Sequence, residues 1–129
     1  MSLDYAFVAC QQLPTSLEEL QEDPSYDRER YKALAEEMFP QITWQADGTG
    51  LAIDGQSSFE VNPSDVSLSL SARGSDDLSP YIEAAALVAL RHSVVTIDIQ
   101  CSELFVPEAC GTRAEYTNWY RAVVYGEGP

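Results

Sequence analysis

Alternation opens the chain. Leu3, Tyr5, Phe7 and Ala9 fall on one side of an extended segment over residues 3–10, with Asp4, Ala6, Val8 and Cys10 on the other, which predicts a first strand with one richly apolar face. The period then changes from two to about 3.6. Ser16 is placed to cap a short turn at Leu17-Glu18-Glu19-Leu20, whose acids suit a helix N-terminus. A firmer helix is predicted from Asp23-Pro24, an N-cap followed by proline at the first helical position, to Phe39, where Pro40 stops it. Its buried stripe is Tyr31, Leu34, Ala35 and Met38, while Asp27, Arg28, Glu29, Lys32 and Glu36 face water.

The middle of the chain reads as an antiparallel meander. Residues 41–45 and 51–54 flank Asp47-Gly48-Thr49-Gly50, a hairpin turn supplied with residues that adopt positive φ. Gly55-Gln56 turns the chain into residues 57–61, and Asn62-Pro63-Ser64-Asp65 turns it again. Next, Val66, Leu68, Leu70 and Ala72 alternate with Ser67, Ser69 and Ser71, giving a core face and a small polar face. Ser75 or Asp76 caps a second helix that settles by Leu78 and ends near His92, with Leu78, Ile82, Ala85, Ala89 and His92 on one side of an alanine-rich run. Residues 94–100 form a further strand. Glu108 or Thr112 opens a last helix that ends at Tyr125, before Gly126. The order β-α-β-β-β-β-α-β-α predicts one α+β domain over residues 1–129, a mostly antiparallel sheet with its helices packed on one face.

Composition narrows the class. With 129 residues and 45% apolar side chains, the chain is long enough to bury an ordinary core, and neither the disordered nor the fibrous class fits. Its longest apolar run, residues 84–90, falls well short of the roughly 20 residues that span a bilayer. The N-terminus carries no basic residue ahead of its first apolar stretch, so a cytoplasmic protein without a secretory signal is expected. Cys10, Cys101 and Cys110 are odd in number and lack metal-ligand spacing, which predicts reduced, mostly buried thiols. The formal charge is −14, with 9 acids against 3 bases in residues 1–40, 4 against 1 in 41–74 and 8 against 3 in 75–129. The acid is therefore spread through the body rather than held in a tail. Such a field disfavours nucleic acid and anionic membrane as partners and speeds encounter with basic surfaces, although solubility alone also accounts for it.

Few residues suggest chemistry. In a strand over 94–100, Val95, Ile97 and Ile99 point one way and Thr96, Asp98 and Gln100 the other, which reads first as core and solvated faces. The alternatives are that Asp98, Gln100 and Glu103 form a partner-contact patch, or that Asp98 is a general acid or base, which needs a companion within hydrogen-bond reach. His92 is the sole histidine and sits in the last turn of a predicted helix, a position that suits a cation. No cysteine lies in a nucleophile motif, no glycine pattern cradles phosphate, and Glu18, Glu19, Glu22 and Asp23 lack the spacing of a calcium loop. No metal or cofactor is expected. Tyr116, Trp119, Tyr120 and Tyr125 crowd the last predicted helix with more aromatic surface than one buried stripe needs, so Trp119 and Tyr120 are candidate interface anchors.

Trp44, Asp47-Gly48-x-Gly50, Phe59, the strand through Leu70, Asp77-Leu78-x-Pro80-x-x-Glu83 and Ile97-Asp98-x-Gln100-x-x-Glu103 together resemble small bacterial toxin-immunity proteins. The likeness covers about 60 residues, with Ile99 where such proteins carry proline. It implies a non-enzymatic binder that neutralises a toxin domain. The leading expectation is accordingly an acidic, cytoplasmic binding module for a basic protein, with Asp98, Gln100, Glu103, Trp119 and Tyr120 as contacts. Two competing readings remain: a small enzyme or small-molecule binder with a pocket near Asp98 and His92, and an accessory subunit or homo-oligomer joined through the aromatic C-terminal helix.

Overall fold

β1 (Ser2–Ala9), the first strand in sequence, lies inside the sheet rather than at its edge. The computed structural model describes residues 2–12, 14, 17–74 and 77–107. After β1 come a single 3-10 turn at Leu17–Glu19, then α1 (Arg28–Met38), β2 (Thr43–Trp44), β3 (Gly50–Asp54), β4 (Ser57–Pro63), β5 (Leu68–Arg73), α2 (Ser79–Leu90), β6 (Val94–Asp98) and β7 (Glu103–Phe105). The sheet order is β2-β3-β4-β5-β1-β6-β7, with every neighbouring pair antiparallel. This is the expected α+β arrangement, with one strand more than the alternation pattern predicted. No helix among the described residues is long and apolar enough to cross a membrane.

Both helices cover the face that carries Tyr5, Phe7, Ala9, Phe59, Val61, Leu68, Leu70 and Ala72. From α1, Tyr31, Leu34 and Ala35 are buried, and Phe39 just beyond it stacks on Phe59 at 5.1 Å between ring centroids. From α2, Ile82, Ala85 and Ala89 fill the remaining area, the alanines letting the helix approach closely. Each large side chain buried here is worth roughly 1.5–3 kcal/mol, so this single layer contact dominates the stability. Trp44 ties β2 to α1: its indole Nε1 donates to Glu36 at 3.4 Å, and the Lys32 ammonium lies 5.0 Å from a ring centroid. Opposite Trp44 in the ladder is Gly50, where a Cβ would come within 2.5 Å of Ile42, 2.8 Å of Trp44 and 2.9 Å of Val61. Glycine is therefore required for close approach.

Several boundaries differ from the sequence pattern. α1 begins at Arg28, capped by Asp27, whose carboxylate accepts the Arg30 N–H at 3.1 Å. Asp23 instead organises the preceding turn by accepting from the Ser25 N–H and hydroxyl. Leu78 holds the N-cap position of α2 without a side-chain bond, and Asp77 accepts the Ser79 N–H at 3.0 Å; Ser16, Ser75 and Asp76, read as caps, lie outside the described residues. The helix predicted over residues 108–125 lies outside them as well. Val66, assigned to the core face of a strand, is 60% exposed in a turn. There the Ser64 hydroxyl gathers the N–H groups of Val66 and Ser67, and β5 starts only at Leu68.

The ladder explains why β5 starts late. In the register that pairs Phe7 with Leu68, Val66 would face Ala9. The Tyr31 hydroxyl occupies that place, accepting the Ala9 N–H at 2.9 Å and donating to the Val66 carbonyl at 3.2 Å. A side chain from α1 thus completes the end of the sheet.

The largest correction concerns β6. The expected grouping by alternation holds, but the faces are exchanged. Pairing of Ala9 with Val94, Phe7 with Thr96 and Tyr5 with Asp98 sets Val94, Thr96 and Asp98 on the helix-covered side. Thr96 is only 2% exposed, and its hydroxyl has no hydrogen-bond partner among the described residues. Val95 and Ile97 lie on the opposite face with Val8; Val8 and Val95 are nevertheless buried, so both faces of this corner are covered.

Candidate partner-binding surface

The expected patch at Asp98, Gln100 and Glu103 is brought together by the turn between β6 and β7. Asp98 and Glu103 are paired across the hairpin, and Ser102 takes a positive φ of 57° to close it. Asp98 accepts the Gln100 backbone N–H at 3.0 Å and its carboxamide Nε2 at 2.6 Å. The carboxamide oxygen of Gln100 accepts the Asp4 N–H, while the Asp4 carbonyl accepts from Ile99 at 3.1 Å. Gln100 therefore staples the end of β6 to β1, a structural task that alternation alone could not reveal. Asp4, which also accepts from the Ser71 hydroxyl at 2.7 Å, adds a third carboxylate to this end of the sheet. Gln100 and Glu103 are exposed, and Asp98 is half-buried.

The carboxylates act on their neighbours. Between them Cys101 is exposed, contrary to the expectation of buried thiols. Its thiol is pushed up by local desolvation, then by the charge and hydrogen bond of Asp98 and the charge of Glu103, so it stays protonated and a poor nucleophile near neutrality. The Tyr5 phenol is raised by burial first and by Asp98 and Cys101 after it. Cys10 is buried, and burial pushes its thiol up to about 11. Neither described cysteine is tuned for catalysis. Cys110, Trp119 and Tyr120 lie outside the described residues.

His92 does not join Asp98. The two sit at opposite ends of β6, and His92 Nε2 lies 2.5 Å from Glu37 Oε2, bridging the end of α2 to α1. Although expected on the buried side of the helix, His92 is exposed because α2 has ended by Leu90 and its last turn opens to solvent. Among the described residues, no three or more His, Cys, Asp or Glu side chains gather as a metal site would require.

A second feature was not legible in the sequence. A cleft of about 420 Å³ opens where the end of α1, the first turn of α2 and β3 meet, lined by Met38, Pro40, Gln41, Ile53, Asp54 and Tyr81 among others. Its polar mark is the Tyr81 hydroxyl, which donates to Asp54 at 2.5 Å; its floor includes Phe59, 4.8 Å from the Tyr81 ring. Ile53 is 60% exposed there.

No protein-family model, curated protein or solved structure matches this chain. The site must therefore be judged on its own geometry. The described carboxylates are all exposed or half-buried, whereas the cations of α1 are engaged: Arg28 pairs with Asp65 at 3.8 Å, Arg30 lies 4.3 Å from the Tyr26 ring centroid, and Lys32 covers Trp44. No described cation lines the cleft beside β3, where Asp54 lies.

Proposed function

We propose that this chain is a non-enzymatic binding module that holds a basic protein partner through its acidic surface. The observation that carries this reading is the outward disposition of the described carboxylates, exposed or half-buried throughout, on a chain with a formal charge of −14. Charges at a rim guide encounter and select the sign of the partner more than they add affinity. The β6–β7 hairpin, with Asp98 and Glu103 fixed opposite each other, is the contact surface in this reading, and the resemblance to immunity proteins makes its partner a toxin domain in a bacterial cytoplasm. The separation of His92 from Asp98 and the protonated state of the described thiols favour binding over catalysis.

The test is retention. The protein is immobilised, lysate of its own organism is passed over it at low salt, and a salt step releases what was held. One basic protein recovered in stoichiometric amount, whose isolated activity the chain suppresses at a one-to-one ratio, supports the reading in its toxin-neutralising form. Retention of nothing, or of many proteins in proportion to their charge, removes it.

A further inference from the structure

β2 stops before β3 does, and the break is where the cleft lies. In the ladder, Thr43 faces Leu51 and Trp44 faces Gly50, and the bond from the Gln45 N–H to the Thr49 carbonyl at 2.8 Å continues the same register. That bond identifies Gln45 with Thr49, and hence Thr43 with Leu51, as the pairs that exchange backbone hydrogen bonds. The next such pair would be Gln41 with Ile53. It does not form in the described ladder: the chain diverges at Pro40–Gln41, and both Gln41 and Ile53 line the cleft instead. The main-chain groups of Ile53 that would have met Gln41 therefore face the gap. Among the described residues, Ala52–Asp54 have no strand partner on this side and are flanked on the other by β4.

An open edge of this kind is a template for an added strand. Recognition by strand addition draws affinity from main-chain bonds and specificity from a pocket for an alternate side chain. Both parts are present: the edge at Ile53, and beside it a cleft with apolar walls at Met38, Pro40 and Ala84. Asp54 lines it too, and no cation among the described residues does. We propose that this fork receives an extended segment of the basic partner, which pairs with Ile53, inserts an apolar side chain into the cleft and sets a lysine or arginine against Asp54. The proposal rests on the reading of the chain as a module for a basic protein. It moves the anchoring contact to the edge opposite the β6–β7 hairpin, five strand spacings or about 24 Å across the sheet.

The probe is a seven-residue extended peptide with a leucine and an arginine two positions apart, so that both fall on the face shared by Ala52 and Asp54, titrated into isotopically labelled protein while backbone amide resonances are followed. Three comparisons accompany it: the same peptide N-methylated at alternate amides, an analogue with glutamate for arginine, and the Asp54→Asn variant, which keeps an acceptor for Tyr81 and removes the charge. The expected result is shifts at residues 38–41 and 52–54. Binding should be more than about tenfold weaker for the methylated peptide and about two- to fivefold weaker in the variant, with no binding of the acidic analogue. Shifts confined to residues 98–103, or none anywhere, overturn the docking site and leave the retention experiment to judge the proposed function separately. Equal binding of the methylated peptide overturns strand addition, and equal binding of the acidic analogue overturns the assigned charge of the segment.

Discussion

The hydroxyl of Tyr31 sits between two strand ends and bonds the Ala9 N–H at 2.9 Å, where a further residue of β5 would otherwise have done so. Removing it leaves a buried donor without a partner. Tyr31→Phe should therefore cost about 1–3 kcal/mol, read as a lower urea midpoint at unchanged slope. If the loss is smaller, amide exchange should show Val66 drawn into the ladder in its place.

Thr96 offers the opposite sign. Its buried hydroxyl lacks a partner among the described residues, so replacing it with a methyl relieves a desolvation cost without emptying the site. Thr96→Val should raise stability by about 1 kcal/mol in the same urea measurement. A loss instead would mean that the hydroxyl is satisfied.

Reversing charge at Asp98 and Glu103 together should slow association with the basic partner about tenfold or more at low salt, with little change in dissociation. The effect should fade as salt is added. Stopped-flow rates at two ionic strengths decide it, and an unchanged low-salt rate removes the hairpin from the contact surface.

Cys101 reports on the same hairpin. Because local desolvation, and after it Asp98 and Glu103, hold its thiol up, iodoacetamide should modify it slowly at pH 7.5, and Asp98→Asn should accelerate the reaction. Comparison with Cys101→Ser isolates this site from Cys110. Cys10 should resist until the protein unfolds.

Stability should fall at both ends of the pH scale. Asp23, Asp47 and Asp77 are held below the usual carboxylate range by hydrogen bonds from Ser25, Thr49 and Ser79. The folded state thus binds fewer protons than the unfolded one, and their stabilisation, complete above about pH 4, is lost as pH drops below it. Cys10 runs the other way: with its thiol raised to about 11, stability declines as pH climbs from about 8.5 through that value. Urea midpoints against pH should trace both limbs, and Cys10→Ala should flatten the alkaline one.

How far the sequence could be read depended on whether one face of an element was clearly wetter than the other. β5 alternates apolar residues with serines, and β1 carries its largest side chains, Leu3, Tyr5 and Phe7, on one face, so their core faces were legible. β6 was not, because both its faces are covered at this corner, and the side that meets the helices is decided by its pairing with β1 rather than by its own pattern. The start of α1 was misplaced because Asp23 and Asp27 are equally good local acceptors, and only tertiary packing chose between them. β7, three residues long, carries too short a period to detect. The fork beside Ile53 depends on where one strand stops, which no local pattern encodes.

The place of β1 in the sheet has a bearing on synthesis. Residues 2–9 leave the ribosome well before their neighbours in the sheet, residues 68–73 and 94–98. For most of translation this apolar strand has no partner on either side. The four-strand meander can form early from local turns, but the sheet closes only when the last third of the chain arrives, which predicts slow folding dominated by distant contacts. Until then β1 is the segment most in need of a chaperone.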